Sequence, residues 1–553
     1  MIATAPPLSA HSKSLKYNGP GLKQPQVWRG SLDRVAWEPD EIQHLLQQIE
    51  RPCHIVRHQG KIGVVPASEG DAVNGHRDDY ADLLLTTPAI SLQNLGDSSF
   101  CTAHNTRYAY MTGAMAGGIA SEEMVIALGR ARILGSFGTG GLPPARVKSA
   151  IAAIQQALPH GPYCFNLLHN PHEPAVERAA VDLYLQHGVR TIEASAFLTL
   201  TPNLVYYRAA GLRQSATGEV KIDNKIIAKV SRQEVADKFM QPAPAKMLRS
   251  LVEQGLITEQ QAQLAAQVPM ADDITVEADS GGHTDNRPLV CLLPAMLAIR
   301  DRIQAQYNYA TPVRIGAAGG IGTPRSLLSA LMMGAAYVVT GSINQSCREA
   351  GTSDHTKSLL AKAEMADVTM APAADMFEMG VQLQVLKKGT FFPMRAQKLY
   401  EIYKTYDNIE EIPLADRQKL EKQIFGKSLE AVWQGTVDYL SQRNPKKLAR
   451  AQKDPKLKMA LIFRWYLGLS SRWSNTAEPD RQFDYQVWCG PSMGAFNEWA
   501  KGTYLATPEH RQVVAIAEHL MRGAAIDYRL QSLEVQGLKI PAGYGQYRPS
   551  PPQ

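Results

Sequence analysis

The chain has 553 residues, of which 44% are hydrophobic and 20% charged, a composition typical of a folded protein with more than one domain. Its formal net charge of +6 is small for this length and does not by itself indicate a nucleic-acid-binding protein. The six cysteines show no CxxC spacing, which disfavours a zinc ribbon or a secreted disulfide framework, so we expect a protein of the reducing cytoplasm. Neither a secretory leader nor an apolar run of ~18 residues occurs, so export and membrane spanning are not expected.

Residues 1–105 make up a first region, which is rich in proline at its start and then carries short β-like runs. The run CHIVRHQGKIGVVP predicts two strands joined by a hairpin turn at Gly60–Lys61. We therefore expect a small β-containing region at this end of the protein.

Residues 106–356 alternate short apolar segments with amphipathic helices, which is the pattern of successive βα units and a parallel sheet. Eight strand-like segments follow one another: YAYMTGAMA, ARILGSFG, YCFNLLH, RTIEASAF, KIIAKVS, DITVEAD, VRIGAAGG and AYVVTGSI. Eight such units favour an α/β fold of the TIM (β/α)8 barrel type over an open doubly wound sheet. In such a barrel, functional residues lie on the loops at the carboxyl ends of the strands.

Two further segments complete the predicted architecture. The connection between strands five and six is longer than one helix requires, and residues 242–267 predict two amphipathic helices around Gly255. We expect this insertion, within residues 240–270, to cover the barrel mouth as a lid. From residue 357 to 553 no strand pattern recurs, which predicts a carboxy-terminal helical domain.

Two neighbouring loops of the predicted barrel are rich in glycine. Strand seven ends in AAGGIGTP, with Gly319 and Gly320, and strand eight ends in TGSINQ, with Gly341 and Ser342. Backbone amides in such loops can bind a phosphate, although the glycines are also explained by tight turns alone. The sequence has neither a GxGxxG before these loops nor a GxxxxGK[ST] motif, which disfavours a Rossmann domain or a P-loop.

A phosphate at this corner of a barrel belongs to the substrate or to flavin mononucleotide (FMN), and residues at other strand ends, each ambiguous alone, help to choose. Ala114 and Met115 follow strand one and leave room for a flat ring, while Asn166 and Lys229 bring polar groups to the barrel mouth. A lysine can stabilise negative charge on a reduced flavin, and an asparagine amide matches the donors and acceptors of its pyrimidine ring. The alternatives are a salt bridge of Lys229 with Glu193 and a strand-end backbone contact of Asn166.

The segment DSGGHTDNRP follows strand six and contains a candidate acid. Two consecutive glycines, Gly281 and Gly282, suit a close approach of backbone to a flat or phosphorylated ligand. His283 can donate a hydrogen bond or a proton near neutral pH, unless it only caps a helix or binds backbone. Asp279 would orient this histidine or, by the preferred interpretation, satisfy amides of the glycine turn.

These segments carry a resemblance to known proteins. DSGGHTDNRP, AAGGIGTP and GAAYVVTGSINQ resemble the flavin-dependent barrels of the nitronate monooxygenase and FabK-like enoyl reductase superfamily, in which glutamate and alanine are usual where Asp279 and Ser280 stand. APAADMFEMGVQLQVLKKGTFFP, LIFRWYLGLSSRW and DYQVWCGPSMGAFNEW resemble more narrowly the PfaD family. Its members are the trans-acting enoyl reductases of polyunsaturated fatty acid synthases and of polyketide synthases without built-in acyltransferases. The resemblance covers nearly the whole chain beyond about residue 90.

The resemblance implies an FMN-binding barrel that is reduced by NADPH. It would then reduce the C2=C3 bond of an enoyl thioester on an acyl carrier protein, with His283 as the catalytic residue. The residues expected to contact FMN are Ala114, Met115, Asn166, Lys229, Gly281, Gly282, Gly319, Gly320, Gly341 and Ser342. Two other functions stay open: an oxygen-using nitronate monooxygenase with His283 as base, and a non-catalytic scaffold subunit of a synthase.

A basic segment, RNPKKLARAQKDPKLK, is the candidate docking surface for an acidic carrier protein. Its only acid is Asp454, and its basic residues are Arg443, Lys446, Lys447, Arg450, Lys453, Lys456 and Lys458. The alternative is an ordinary solvated helical face.

Overall fold

Eight parallel strands close into a barrel in chain order, which confirms the TIM-barrel prediction. The computed structural model describes residues 15–17, 19, 26–74, 80–169, 174–541, 544 and 547–551. The barrel strands, numbered one to eight here, are Tyr110–Thr112, Leu134–Phe137, Cys164–Leu168, Thr191–Ser195, Lys225–Val230, Asp273–Glu277, Arg314–Ala318 and Val338–Thr340. All eight fall within the segments expected from the apolar pattern.

Helices surround the barrel and face the strands with buried aliphatic side chains. Several begin at a Ser or Thr whose hydroxyl accepts a hydrogen bond from the first-turn backbone, as Ser121 does from Met124 N and Thr201 from Leu204 N. At these positions the cap marks where the loop ends and the helix begins. The helices that follow strands one to eight are Glu122–Arg130, Pro144–Ala157, Pro174–Gln186, Pro202–Ala210, Gln233–Met240, Leu289–Tyr307, Pro324–Met332 and Asp354–Ala361.

The amino-terminal region contains a five-stranded antiparallel sheet. Helix Pro39–Gln47 follows the first strand of this sheet, and helix Ser98–His104 lies between the sheet and the barrel. The hairpin turn has positive φ at Gln59 and Gly60, one residue earlier than predicted. The guanidinium of Arg529, which is fully buried, donates to five backbone carbonyls of this region. The strands are Gln26–Gly30, Cys53–His58, Lys61–Pro66, Gly70–Asn74 and Ala81–Thr87.

The insertion between strands five and six has the two predicted helices, Ala245–Glu253 and Glu259–Ala265, on either side of Gly255. The prediction that they form a lid is wrong. They follow helix Gln233–Met240, so they lie in a connection from a helix to the next strand, which runs on the face opposite the barrel mouth. There they pack on helix Pro202–Ala210, Leu248 and Leu251 are buried, and Gln261 donates a hydrogen bond to Ala210 O at 3.2 Å.

The region after the barrel is not purely helical, so the expectation that no strand follows residue 357 is wrong. Val368–Pro372 and Gln382–Leu386 form an antiparallel hairpin, and Leu538–Lys539 pairs with Lys16–Tyr17. No helix among the described residues has both the length and the apolar character needed to cross a membrane. The helices of this region are Phe392–Thr405, Leu414–Leu420, Leu429–Arg443, Pro445–Ala451, Pro455–Thr476, Ser492–Ala500 and Val513–Val535.

Candidate active site

The glycine loops after strands seven and eight border open space. A Cβ atom built on Gly320 or on Gly341 would meet nothing within 4 Å. Gly319 differs, because its φ of +85° and a Cβ only 2.7 Å from the backbone of Ala278 require glycine for the packing of the loop itself. Strands seven and eight are neighbours, so the two loops can offer their amides to one anion.

The carboxy-terminal region packs against these two glycine loops, a contact that sequence reasoning missed. The amide of Gly490 donates to Ser342 Oγ at 3.0 Å, and a Cβ on Gly322 would lie 2.4 Å from the carbonyl oxygen of Ser492. Behind the loop, the buried Arg511 donates to Ser346 Oγ at 2.8 Å. Because these segments are far apart along the chain and meet only in the tertiary fold, no local sequence pattern predicts the contact.

Lys229 lies at the barrel mouth as an ion-paired cation. Its ammonium is 3.1 Å from Glu277 Oε1, so its direct partner is Glu277 and not Glu193, as the alternative interpretation had it. Burial alone would lower the pKa of Lys229, but the carboxylates of Glu277 and Glu193 raise it above the ordinary value. Glu193 itself accepts from Ala114 N at 2.8 Å through Oε2, while its buried Oε1 has no partner among the described residues.

Asn166 and Met115 complete the set of predicted contacts at the mouth. The Asn166 amide donates to Glu193 O at 2.9 Å and to Ser195 Oγ at 3.0 Å, which agrees with the alternative that it satisfies a strand-end backbone group. Met115 is half-buried after strand one, and its carbonyl accepts from Ala120 N at 3.2 Å. A role of these residues in binding a flavin stays a prediction.

The Gly281–Gly282 pair is explained by contacts within the protein. A Cβ on Gly281 would lie 2.8 Å from Cys489 N. Gly282 has a φ of +82°, and a Cβ there would lie 2.7 Å from the Trp488 ring. The backbone of this loop therefore approaches the carboxy-terminal region closely, and a ligand is not required to account for either glycine. Their expected contact with FMN stays a prediction.

His283 has a partner that the sequence did not reveal. Its Nε2 lies 3.2 Å from Asp375 Oδ1, and its ring makes an edge-to-face contact with Trp488 at 5.7 Å. Partial desolvation would by itself raise the pKa of Asp375, but the hydrogen bond and charge of His283 lower it below its ordinary value. Asp279 orients neither the histidine nor the glycine amides, since its Oδ1 accepts from Gln384 Nε2 at 2.7 Å.

Cys489 lies beside this loop without the properties of a nucleophile. It is fully buried, and burial raises its pKa to about 12, so the sulfur stays a thiol. The chemistry available at the mouth is therefore that of an imidazole with a carboxylate partner, an ion-paired lysine and a set of loop amides.

Three family models match the chain. The model described as "Nitronate monooxygenase" matches residues 99–415, more than half of the chain. That described as "Fatty acid synthase subunit PfaD N-terminal domain" matches residues 28–89. A third, for the inserted helical domain of acyl-carrier-protein S-malonyltransferase, matches residues 406–485.

Two curated relatives are long proteins of which this chain covers a part. A polyunsaturated fatty acid synthase subunit of Thraustochytrium sp. is 52% identical over 450 residues, covering 80% of this chain and 30% of the relative. Polyketide biosynthesis protein PksE of Bacillus subtilis is 43% identical over 495 residues, covering 88% of this chain and 64% of the relative. The chain thus spans less than two thirds of the length of each.

A solved structure matches over its full length. The enoyl reductase domain of MlnA, from the macrolactin biosynthesis cluster of Bacillus amyloliquefaciens, is 40% identical with a TM-score of 0.77, covering 80% of this chain and 100% of that domain. The match includes the barrel and residues outside it. The chain therefore belongs to the nitronate monooxygenase family and, within it, to the group represented by the fatty acid synthase subunit PfaD.

Proposed function

We propose that this protein is a trans-acting enoyl reductase of polyketide or polyunsaturated fatty acid biosynthesis. It would reduce the C2=C3 double bond of 2-enoyl thioesters bound to an acyl carrier protein, with FMN and NADPH. The observation that carries the proposal is the placement of His283 after strand six, next to the glycine loops of strands seven and eight, on a chain that matches a complete enoyl reductase domain.

The residues present fit FMN. The space in front of Gly320 and Gly341 is where a side chain would otherwise sit, and a phosphate there would meet loop amides. Lys229, charged and at the mouth, would face the flavin ring, with Ala114, Met115 and Asn166 nearby. When bound, FMN would carry hydride from NADPH to the enoyl chain.

The protein's own contribution is to stabilise the charge that develops on the substrate. Addition of hydride at Cβ places negative charge on the thioester oxygen, and Cα must then take a proton. An imidazole held beside this position can supply the hydrogen bond or the proton without an extreme environment. His283 is the side chain of the described loops at the mouth that is best suited to this role.

A spectroscopic experiment tests the proposal. The purified protein should carry a flavin absorbance, lose it on anaerobic addition of NADPH, and regain it on addition of a carrier-bound enoyl thioester. Oxygen consumption with a nitroalkane, without reoxidation by the enoyl thioester, would instead support a nitronate monooxygenase. A protein that binds no flavin would support a scaffold role.

A further inference from the structure

The loop that carries His283 is held by the hairpin that follows the barrel. Gly282 and Gln384 form an antiparallel bridge, and the Gln384 side chain also donates to Ser280 O at 2.7 Å. Asp375 lies in the connection between the two hairpin strands, so it is carried by the element that fixes the histidine backbone. A carboxylate and an imidazole mounted in this way keep their relative position.

The hydrogen bond between the two side chains settles where the proton of the neutral ring lies. Asp375 accepts the only hydrogen bond of the His283 ring in the described part of the chain, through Nε2. An ionised carboxylate can only accept, so Nε2 must carry a proton. Nδ1 of the neutral ring is then an acceptor, and the ring can donate through Nδ1 only when it is protonated.

We propose that Asp375 is the positioning residue of the reaction and that His283 acts through Nδ1 as a general acid. This rests on the proposed enoyl reduction. The Nδ1–H bond of the imidazolium breaks as a Cα–H bond forms from the electron pair of the enolate, and the thioester carbonyl is restored. The ring keeps its Nε2–H on Asp375, and Nδ1 regains a proton from solvent.

The variants Asp375→Ala and Asp375→Asn test this assignment. The matched control is Asp354→Asn, which removes a carboxylate that is 99% exposed and faces Lys357. We expect both Asp375 variants to keep FMN and its reduction by NADPH, and to be slower in reoxidation by an enoyl pantetheine, on the order of 10-fold or more. Formate should partly rescue Asp375→Ala, because this side chain position is 59% exposed, but should not rescue His283→Ala.

A second measurement is independent of flavin and of activity. Diethyl pyrocarbonate reacts with an unprotonated imidazole nitrogen, and peptide mass spectrometry reports the modification of His283 in the free protein. Asp375 keeps the proton on Nε2 and covers that nitrogen, so only Nδ1 can react in the wild type. In Asp375→Ala either nitrogen can be the unprotonated one and Nε2 is uncovered, so modification should be severalfold faster than in the wild type or in Asp354→Asn.

The outcomes separate this inference from the proposed function. Equal modification rates in Asp375→Ala and wild type would overturn the pairing, whatever the protein reduces. Faster modification without any effect on enoyl reoxidation would overturn the role of Asp375 in catalysis. A wild-type protein that is reduced by NADPH but not reoxidised by any enoyl thioester would overturn the proposed function, and with it the role of His283 as an acid toward Cα.

Discussion

The backbone amide of Gly490 donates a hydrogen bond to Oγ of Ser342 at 3.0 Å. Because this hydroxyl oxygen accepts from the protein, its own proton is left to be donated elsewhere. Ser342 begins the short turn after strand eight, next to the open space at Gly341. The contact from a distant segment thus leaves Ser342 able to serve as a donor toward an anion.

Replacement of Gly341 by leucine should abolish flavin binding and leave the fold intact. Its φ of −131° lies outside the left-handed region, and a Cβ there meets no atom within 4 Å, so the new side chain would fill the space proposed for the phosphate. Flavin released on denaturation, per mole of protein, measures the effect. Gly435→Leu, on an exposed helical position that is equally open, is the control. Full flavin content in Gly341→Leu would place the phosphate elsewhere.

Loss of the His283 imidazole should separate the two half-reactions. His283→Ala should keep FMN and its reduction by NADPH, while reoxidation by an enoyl thioester slows by ~10²-fold or more, because a donor to the developing enolate is lost. Anaerobic stopped-flow absorbance follows each step. An unchanged reoxidation rate would assign the histidine a structural role only.

The predicted docking segment exposes fewer basic side chains than its sequence suggests. Lys456 donates to the carbonyls of Tyr403 and Tyr406, and Lys458 lies 5.4 Å from the ring centre of Trp433. These two lysines hold the start of helix Pro455–Thr476. The basic side chains of the segment that are exposed are those of Arg443, Lys446, Arg450 and Lys453.

Reversal of charge at Lys446, Arg450 and Lys453 to glutamate should raise the apparent KM for a carrier-bound enoyl substrate. The effect should be largest at low salt, since exposed charges are screened beyond ~10 Å at 0.1 M. Turnover of a pantetheine-bound analogue should not change. Lys246→Glu with Arg249→Glu, on the exposed face of another helix, is the control. An equal response of both substrates, or none, would make this segment a solubilising surface.

The barrel was predictable because its strands are short apolar segments at regular spacing, a pattern that burial imposes on the sequence. The hairpin was missed because the first residues of strand Val368–Pro372 are only half-buried, so no continuous apolar run marks it. The insertion was misplaced because a long connection does not show on which side of helix Gln233–Met240 its extra helices lie. Asp375 was missed for another reason. A single carboxylate in a turn carries no sequence signal of a role, and its role follows only from the tertiary contact with His283.

Asp527 is a source of pH dependence away from the site. Burial against helix Pro324–Met332 raises its pKa to about 6, although Arg325 lies 3.7 Å away. A carboxyl whose pKa is raised by folding does not lower the stability of the protein at pH values below its pKa in the unfolded state. At pH values above its pKa in the folded state, it lowers the stability by the full amount.

Asp527→Asn should therefore increase the free energy of unfolding near pH 8 by about 2–3 kcal/mol and raise the melting temperature accordingly. The gain near pH 5 should be smaller. Differential scanning fluorimetry across this range measures it. Asp480→Asn, at an exposed position, should show no such trend. A melting temperature that falls in Asp527→Asn near pH 8 would mean that the pair with Arg325 outweighs the cost of burial.

The five carbonyls that accept hydrogen bonds from Arg529 limit which segments can be exchanged between related proteins. They belong to residues near the amino-terminal sheet, whereas the guanidinium belongs to the last long helix. A truncation that removed the sheet, or a chimera with an ill-fitting sheet from a relative, would leave this cation without its acceptors, at a cost of several kcal/mol where it stays buried. The amino-terminal region and the last long helix should therefore be taken from the same relative when such proteins are recombined.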